Sequence, residues 1–445
     1  MIIKLFKAEG ITGFFVRQGI ASATLRVSNV VLGLILSIMM ARLLGASGYG
    51  VYSYVLAIIT VISIPAQFGI PKLVIRETAK AQVNQDWALL RGLWKWSSLA
   101  VFLLSILLIG LCVLIALSLT DTVSAQELNI FYLGLLLIPL ISLGSLRAAT
   151  LQGLRHIVLG QLPESIIRPT VLIILVIALS TTVEQDALLT PFNAMGAHVV
   201  AVFIGFLAGA WFLLNKIPPE IHGVERYRFQ HHDWFHAILP LALTAGMNQV
   251  NNYADIIMLG LYYPAEDVGF YRIAIQGGLL VSFGLQISAM FVSPYIARLH
   301  ARGELRQLQQ IVTISAIAAF IIALVAVLLF TFFGEPILGY FFGGDFVQAY
   351  EALLILAAGQ LINAFFGPIA ILLNMTGNEK STAKGMAIAA SANILLNFIL
   401  IPPYGMEGAA IATVCTLFLW NAVMWFSARK FLNINCSVFG LRSVS

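Results

Sequence analysis

Long apolar runs, each closed by a short cluster of polar residues, follow one another down the whole chain. Twelve reach about 17–25 residues, the length that crosses a bilayer as a helix. They cover 19–44, 49–70, 97–119, 128–149, 162–180, 193–214, 235–261, 267–296, 309–333, 349–373, 384–401 and 408–426. Hydrocarbon offers no partner to backbone N–H and C=O groups, so such runs must be helical. The pattern predicts an all-α integral membrane protein with twelve transmembrane helices.

The polar clusters alternate in sign. The N-terminus, the loops 71–96, 150–161, 215–234, 297–308 and 374–383, and the C-terminal tail hold nearly all Lys and Arg outside the runs. The intervening loops hold none and instead carry Asp121, Glu127, Glu184, Asp186, Glu266, Asp267, Glu335, Asp345 and Glu407. The Lys/Arg bias assigns the first set, and with it both termini, to the cytoplasm.

Composition narrows the function. Of 445 residues, 60% are hydrophobic and 10% charged, against about 25% charged in soluble domains. The net charge of +5 comes from short loops between apolar runs, where it sets topology, so no nucleic-acid partner is expected. Cys112, Cys415 and Cys436 show no C-x-x-C spacing, and neither a disulfide framework nor a metal site follows. The opening MIIKLFKAEGITGFFVRQG has no small-residue cleavage site, and the first helix is expected to stay as an uncleaved anchor. No nucleotide-binding G-x-x-x-x-G-K-[ST], H-E-x-x-H or G-x-S-x-G motif occurs. The chain reads as a carrier rather than an enzyme, with no cofactor.

A weak internal repeat divides the chain near residue 222, giving lobes 1–222 and 223–445 of six helices each. ARLLGASGYGVYSY (41–54) corresponds to IMLGLYYPAEDVGFYRIA (257–274), and LQGLRHIVLGQ (151–161) to LNMTGNEKSTAKG (373–385). Both halves begin inside and hold an even number of spans, so they share one orientation. Transporters built from such repeats bind substrate where the halves meet.

Five arginines lie inside apolar runs: Arg26, Arg42, Arg147, Arg168 and Arg272, with only Asp255 clearly opposing them. Each costs about 2.5–3.5 kcal/mol at a helix centre, so several retained together point to an anionic passenger. Arg26 shares one helical face with Ser22, Asn29, Gly33 and Ser37, and is read as a cavity residue in preference to a snorkelling anchor. The seventh run carries Thr244, Asn248, Asn251, Asn252 and Asp255 on one face. Its asparagines serve equally well as interhelical bonds or as cavity lining, whereas a lone carboxylate in hydrocarbon implies a functional role.

Arg272, near the start of the eighth run, is placed to pair with Asp255. Arg42, Arg147 and Arg168 read as interfacial side chains touching headgroups. Gln360, Asn363, Asn393 and Asn397 read as packing amides, and Gly205 and Gly209 as a helix contact. Segment 71–96, with Trp87, Trp94 and Trp96, reads as an amphipathic helix on the inner leaflet.

The signatures ARLLGASGYGVYSY, NNYADIIMLGLYYPAEDVGFYRIA and LLNMTGNEKSTAKG resemble those of Wzx-type bacterial polysaccharide, or O-antigen, flippases. These form the polysaccharide-transporter branch of the superfamily that includes multidrug and toxic-compound extruders and the peptidoglycan-precursor flippase. The similarity runs from about residue 15 to 430. It implies a two-lobed, MATE-like fold in the bacterial inner membrane, and alternating access. The implied passenger is an undecaprenyl-pyrophosphate-linked oligosaccharide repeat unit, moved to the periplasmic leaflet for O-antigen, capsule or exopolysaccharide synthesis.

Membrane lipids and polysaccharide polymerase machinery are the further partners implied. Under this reading Arg26, Arg272, Asn29, Asn248, Asn251 and Asn252 bind substrate, and Asp255 couples an ion or gates. Two rivals are a cation-coupled multidrug extruder, whose cationic substrates an arginine-bearing cavity would repel, and an integral-membrane sugar transferase. The transferase would need clustered carboxylates or a metal site at a membrane face.

Overall fold

The computed structural model describes residues 11–118, 124–181, 189–221 and 227–443, with the side chains of 11–20, 236, 240, 243, 244, 248 and 441–443 outside the described set. Regular structure among the described residues is entirely helical. The helices are α1 (Ile11–Gln67), α2 (Ile70–Val83), α3 (Trp87–Ser118), α4 (Ala125–Leu135), α5 (Leu137–Gly153), α6 (Ile157–Leu162), α7 (Arg168–Ser180), α8 (Pro191–Leu214), α9 (His231–Tyr262), α10 (Ala265–Ala301), α11 (Leu305–Phe341), α12 (Tyr350–Phe366), α13 (Ile369–Met375) and α14 (Glu379–Leu432).

Nine helices among the described residues are long and apolar enough to cross a membrane. Two of these are too long for one crossing: α1 spans 57 residues and α14 spans 54, about 80 Å or more at 1.5 Å per residue, against a hydrocarbon core of about 30 Å. Each is broken at a glycine with positive φ, Gly45 (φ 67°) in α1 and Gly405 (φ 55°) in α14. Only glycine enters that region without a Cβ penalty, so each break makes two rods from one continuous run.

The described chain forms two compact units: residues up to Gly45 with Val55–Gln249, and Ala46–Tyr54 with Val250–Ser445. In the first unit, Ile70, Leu73, Val74, Leu93, Val101, Leu146 and Ala149 pack around Trp234, a tryptophan buried beside Trp96 at 5.2 Å between ring centroids. The segment leading into α9 is fixed to α3. The Arg228 N–H donates to Ala88 O at 3.1 Å, and Arg228 pairs with Asp86. Tyr227 receives Arg91 and Lys95 on its ring, 5.0 and 4.5 Å from the centroid. A Cβ on Gly92 would overlap Arg228 O, so α3 needs glycine there.

The segment 71–96 differs from the single surface helix expected. α2 stops at Val83, Gln85 adopts φ 54°, and the Asp86 carboxylate accepts the Leu89 N–H at 3.1 Å. That is an N-cap, and it starts a new helix at Trp87. Trp87, Trp94 and Trp96 therefore lie in the first turns of a spanning helix, with the Trp94 indole donating to Thr78 Oγ1 at 3.1 Å.

In the second unit, the two glycine-aromatic signatures pack on each other. A Cβ on Gly50 would overlap Ala265 O, one on Gly269 would come 2.5 Å from Ala46 O, and one on Gly260 would overlap the Tyr54 ring. Small residues let membrane helices approach backbone to backbone, where dispersion replaces the absent hydrophobic drive. Phe346 receives Tyr49 and Phe270 edge-on, at 6.4 and 5.6 Å. The tail returns to α11: Gln309 and Asn435 exchange two bonds, 2.6 and 2.8 Å, while the Trp425 indole donates to Asn435 Oδ1 at 2.9 Å.

Candidate functional site

Three helices of the second unit converge on one carboxylate. Asp255, seven residues before the end of α9, is 4% exposed. The Tyr271 hydroxyl on α10 donates to its Oδ2 at 2.8 Å. Thr413 Oγ1 on α14 reaches the same oxygen at 3.5 Å, and the Ile256 N–H meets Oδ1 at 2.9 Å. Tyr271 is itself fully buried. An ionised carboxylate in such surroundings requires these donors, and the set is oxygen-rich and hard, suited to exchanging a proton or holding a small cation.

The expected Asp255–Arg272 pair is not formed: no ion pair joins them among the described residues, and Tyr271 holds the carboxylate instead. Successive residues on a helix point about 100° apart, so with Tyr271 facing Asp255 the half-buried Arg272 does not come within ion-pair distance of it. The tyrosine was within the quoted signature, but aromatic residues there read equally well as packing.

Asn251 lies one turn before Asp255 and is half-buried. Its Oδ1 is enclosed without a hydrogen-bond partner. Asn252 is exposed, and the Asn248 side chain lies outside the described residues. Asn393 and Asn397, both buried, bond to each other at 3.1 Å. In the first unit, Arg26 and Asn29 are exposed on α1, with Ser22, Gly33 and Ser37 half-buried along the same rod.

Arg147 is not the headgroup-touching side chain expected. It is 5% exposed, and its Nη1 donates to the Gly205 and Phe206 carbonyls of α8 at 3.0 and 3.2 Å. Glu164, in the π-helical turn Pro163–Ile167, stands 3.8 Å from Arg147 Nη2 and 3.2 Å from Arg168 Nη1. Asp255 is thus not alone in opposing the arginines of the apolar runs: Glu164, the third residue of the 162–180 run, does so too, and was overlooked at the run's entry. Gly209 is also more than a helix contact, since a Cβ there would overlap Arg147 Nη1.

Comparison with known proteins gives the family. The model for "Polysaccharide biosynthesis protein" matches residues 15–300, and the MatE model matches 240–399. A Shigella flexneri protein named "Putative O-antigen transporter" is 24% identical over 419 residues, covering 90% of this chain and 93% of that one. A "Probable low-salt glycan biosynthesis flippase", Agl15, of Haloferax volcanii is 25% identical over 173 residues, 39% of this chain. This chain spans 36% of that relative's length. The solved structure of "Lipid II flippase MurJ, inward closed conformation" superposes with a TM-score of 0.72 at 16% identity, covering 91% of this chain and 87% of that one. The chain therefore shares the all-α membrane fold of that structure.

Proposed function

The chain belongs to the polysaccharide biosynthesis protein family, and from that premise we propose that it is a flippase. Its passenger is an undecaprenyl-pyrophosphate-linked oligosaccharide repeat unit, carried by alternating access from the cytoplasmic to the periplasmic leaflet of the inner membrane, for O-antigen, capsule or exopolysaccharide synthesis. The observation that carries this reading is Arg26, exposed beside Asn29 on a spanning rod whose same face bears Ser22 and Ser37. An exposed guanidinium on a polar face of a spanning helix is placed to meet an anion.

A pyrophosphate cannot enter hydrocarbon unpaired, and arginine offers it a planar two-donor fork. The inside-negative potential favours outward movement of an anion by about 2.3 kcal/mol per charge per 100 mV fully traversed, so no nucleotide hydrolysis is needed. Arg272, Asn248, Asn251 and Asn252 complete the proposed passenger-binding set, and Asp255 with Tyr271 is the proposed ion-coupling or gating element. Both termini are cytoplasmic in this reading, and the released product passes to polymerase machinery. A drug extruder for cations is disfavoured by the same arginines.

The test is reconstitution into liposomes with a lipid-linked oligosaccharide labelled in its sugar. The passenger should become accessible to, or protected from, an impermeant glycosidase faster than in protein-free liposomes. Equal rates would overturn the proposal.

A further inference from the structure

The first unit holds a second cationic feature that the stripe on α1 does not include. Arg147 uses only Nη1 for the carbonyls of α8. Its Nε and Nη2, the side-on fork of the guanidinium, are buried and have no hydrogen-bond partner. That edge is the one that receives an oxyanion through two parallel N–H bonds. Glu164 Oε1 faces it from 3.8 Å, beyond hydrogen-bond reach, while Oε2 is held by Arg168 at 3.2 Å. One carboxylate is therefore shared between two guanidinium groups and closes neither fork, leaving the trio one positive charge in excess.

The surroundings are shaped to this arrangement. A Cβ on Gly209 would overlap the Arg147 head, and one on Gly144 would come 3.3 Å from Glu164 Oε1. Arg168 and Glu164 are about a third exposed, at 35% and 36%, whereas Arg147 is at 4%. Arg147 lies six residues before the end of α5, about 9 Å along the helix, and Arg168 eleven residues after the start of α6, about 16 Å. Charged groups open to that extent within a spanning segment call for water or a polar headgroup beside them.

We propose that Arg147, Glu164 and Arg168 form an oxyanion site for a phosphoryl group, in which Glu164 is the resident counter-ion that an incoming phosphate displaces. The phosphate approaches Arg168 on the open side, and as Glu164 swings out on its π-helical turn the Arg147 fork donates to a second phosphate oxygen. The chemistry recognised is that of a phosphate ester or diphosphate. Its assignment to the passenger's pyrophosphate rests on the flippase reading; a phospholipid headgroup offers the same chemistry.

The test is native mass spectrometry of the full-length chain, titrated separately with undecaprenyl pyrophosphate, phosphatidylglycerol and inorganic pyrophosphate. Arg168→Gln should weaken retention roughly tenfold or more, as expected for losing a charged hydrogen bond. Glu164→Gln should strengthen it several-fold, because the amide no longer competes as an anion; a purely structural ion cluster would not do this. Both substitutions are at partly open positions, and thermal unfolding in detergent checks that each variant is folded before it is titrated. Retention by Glu164→Gln equal to or below wild type overturns the site. A gain confined to phosphatidylglycerol upholds the site and identifies its ligand as a bilayer headgroup. An unchanged Glu164→Gln titration with transport intact in liposomes overturns this site alone, and a Glu164→Gln gain without transport by wild type overturns only the flippase reading.

Discussion

Arg147 and Gly209 compete for one volume: a Cβ on Gly209 would overlap Nη1 and stand 2.5 Å from Nε. The missing side chain on α8 is what lets a guanidinium lie flat against that helix and reach its carbonyls. Gly209→Ala must displace Arg147 and should cost about 1–3 kcal/mol, the usual range for overpacking. The measurement is thermal unfolding in detergent. Combining Gly209→Ala with Arg147→Met removes the clash and the buried charge together, and should recover much of the loss in a double-mutant cycle. Strictly additive losses would mean that the two residues are independent.

Tyr271 should matter to Asp255 as a donor and not as bulk. Tyr271→Phe keeps the ring but leaves Oδ2 with only the distant Thr413 hydroxyl, an expected cost of about 1–3 kcal/mol. Asp255→Asn removes charge at nearly constant volume. Both variants should reach normal abundance yet transport more slowly in the liposome assay. Unchanged rates with unchanged Na⁺ and pH dependence in Asp255→Asn would eliminate the coupling role.

Arg26 offers a graded series. Arg26→Ala should abolish most passenger movement, Arg26→Lys should keep part of it because the charge stays while the fork is lost, and Arg26→Glu should be worst through repulsion of the pyrophosphate. Polysaccharide complementation in a deletion strain, with abundance checked by blotting, measures this. Full complementation by both Arg26→Ala and Arg26→Glu would reduce Arg26 to a membrane anchor.

Orientation is testable in a background lacking Cys112, Cys415 and Cys436. A single cysteine at Gly344, where a Cβ meets nothing within 4 Å, should react with an impermeant thiol reagent from the periplasmic side. One at the exposed Glu379, at the start of α14, should react only after the inner membrane is opened. The reverse labelling pattern would invert the proposed topology.

Run lengths and loop charges were enough to establish the class of this protein, because a bilayer leaves a long apolar segment one way to satisfy its backbone. The glycine-aromatic signatures identified the family for a related reason: residues such as Gly50 and Gly269 are dictated by close backbone approach, which leaves its mark in residue type. Helical periodicity also put Arg26 with Asn29, and Asn251 with Asp255, on common faces. What periodicity cannot supply is the neighbour that a face meets. Asp255 lies 158 positions from Thr413, and Arg147 lies 58 from Gly205; such partners are chosen by how the helices pack. Tertiary structure alone therefore decided that Tyr271 rather than Arg272 holds Asp255, and that Arg147 joins Glu164, whose i,i+4 spacing to Arg168 was already in the sequence. The reason is that burying a charge is expensive, and the partner that relieves the cost need only be near in space.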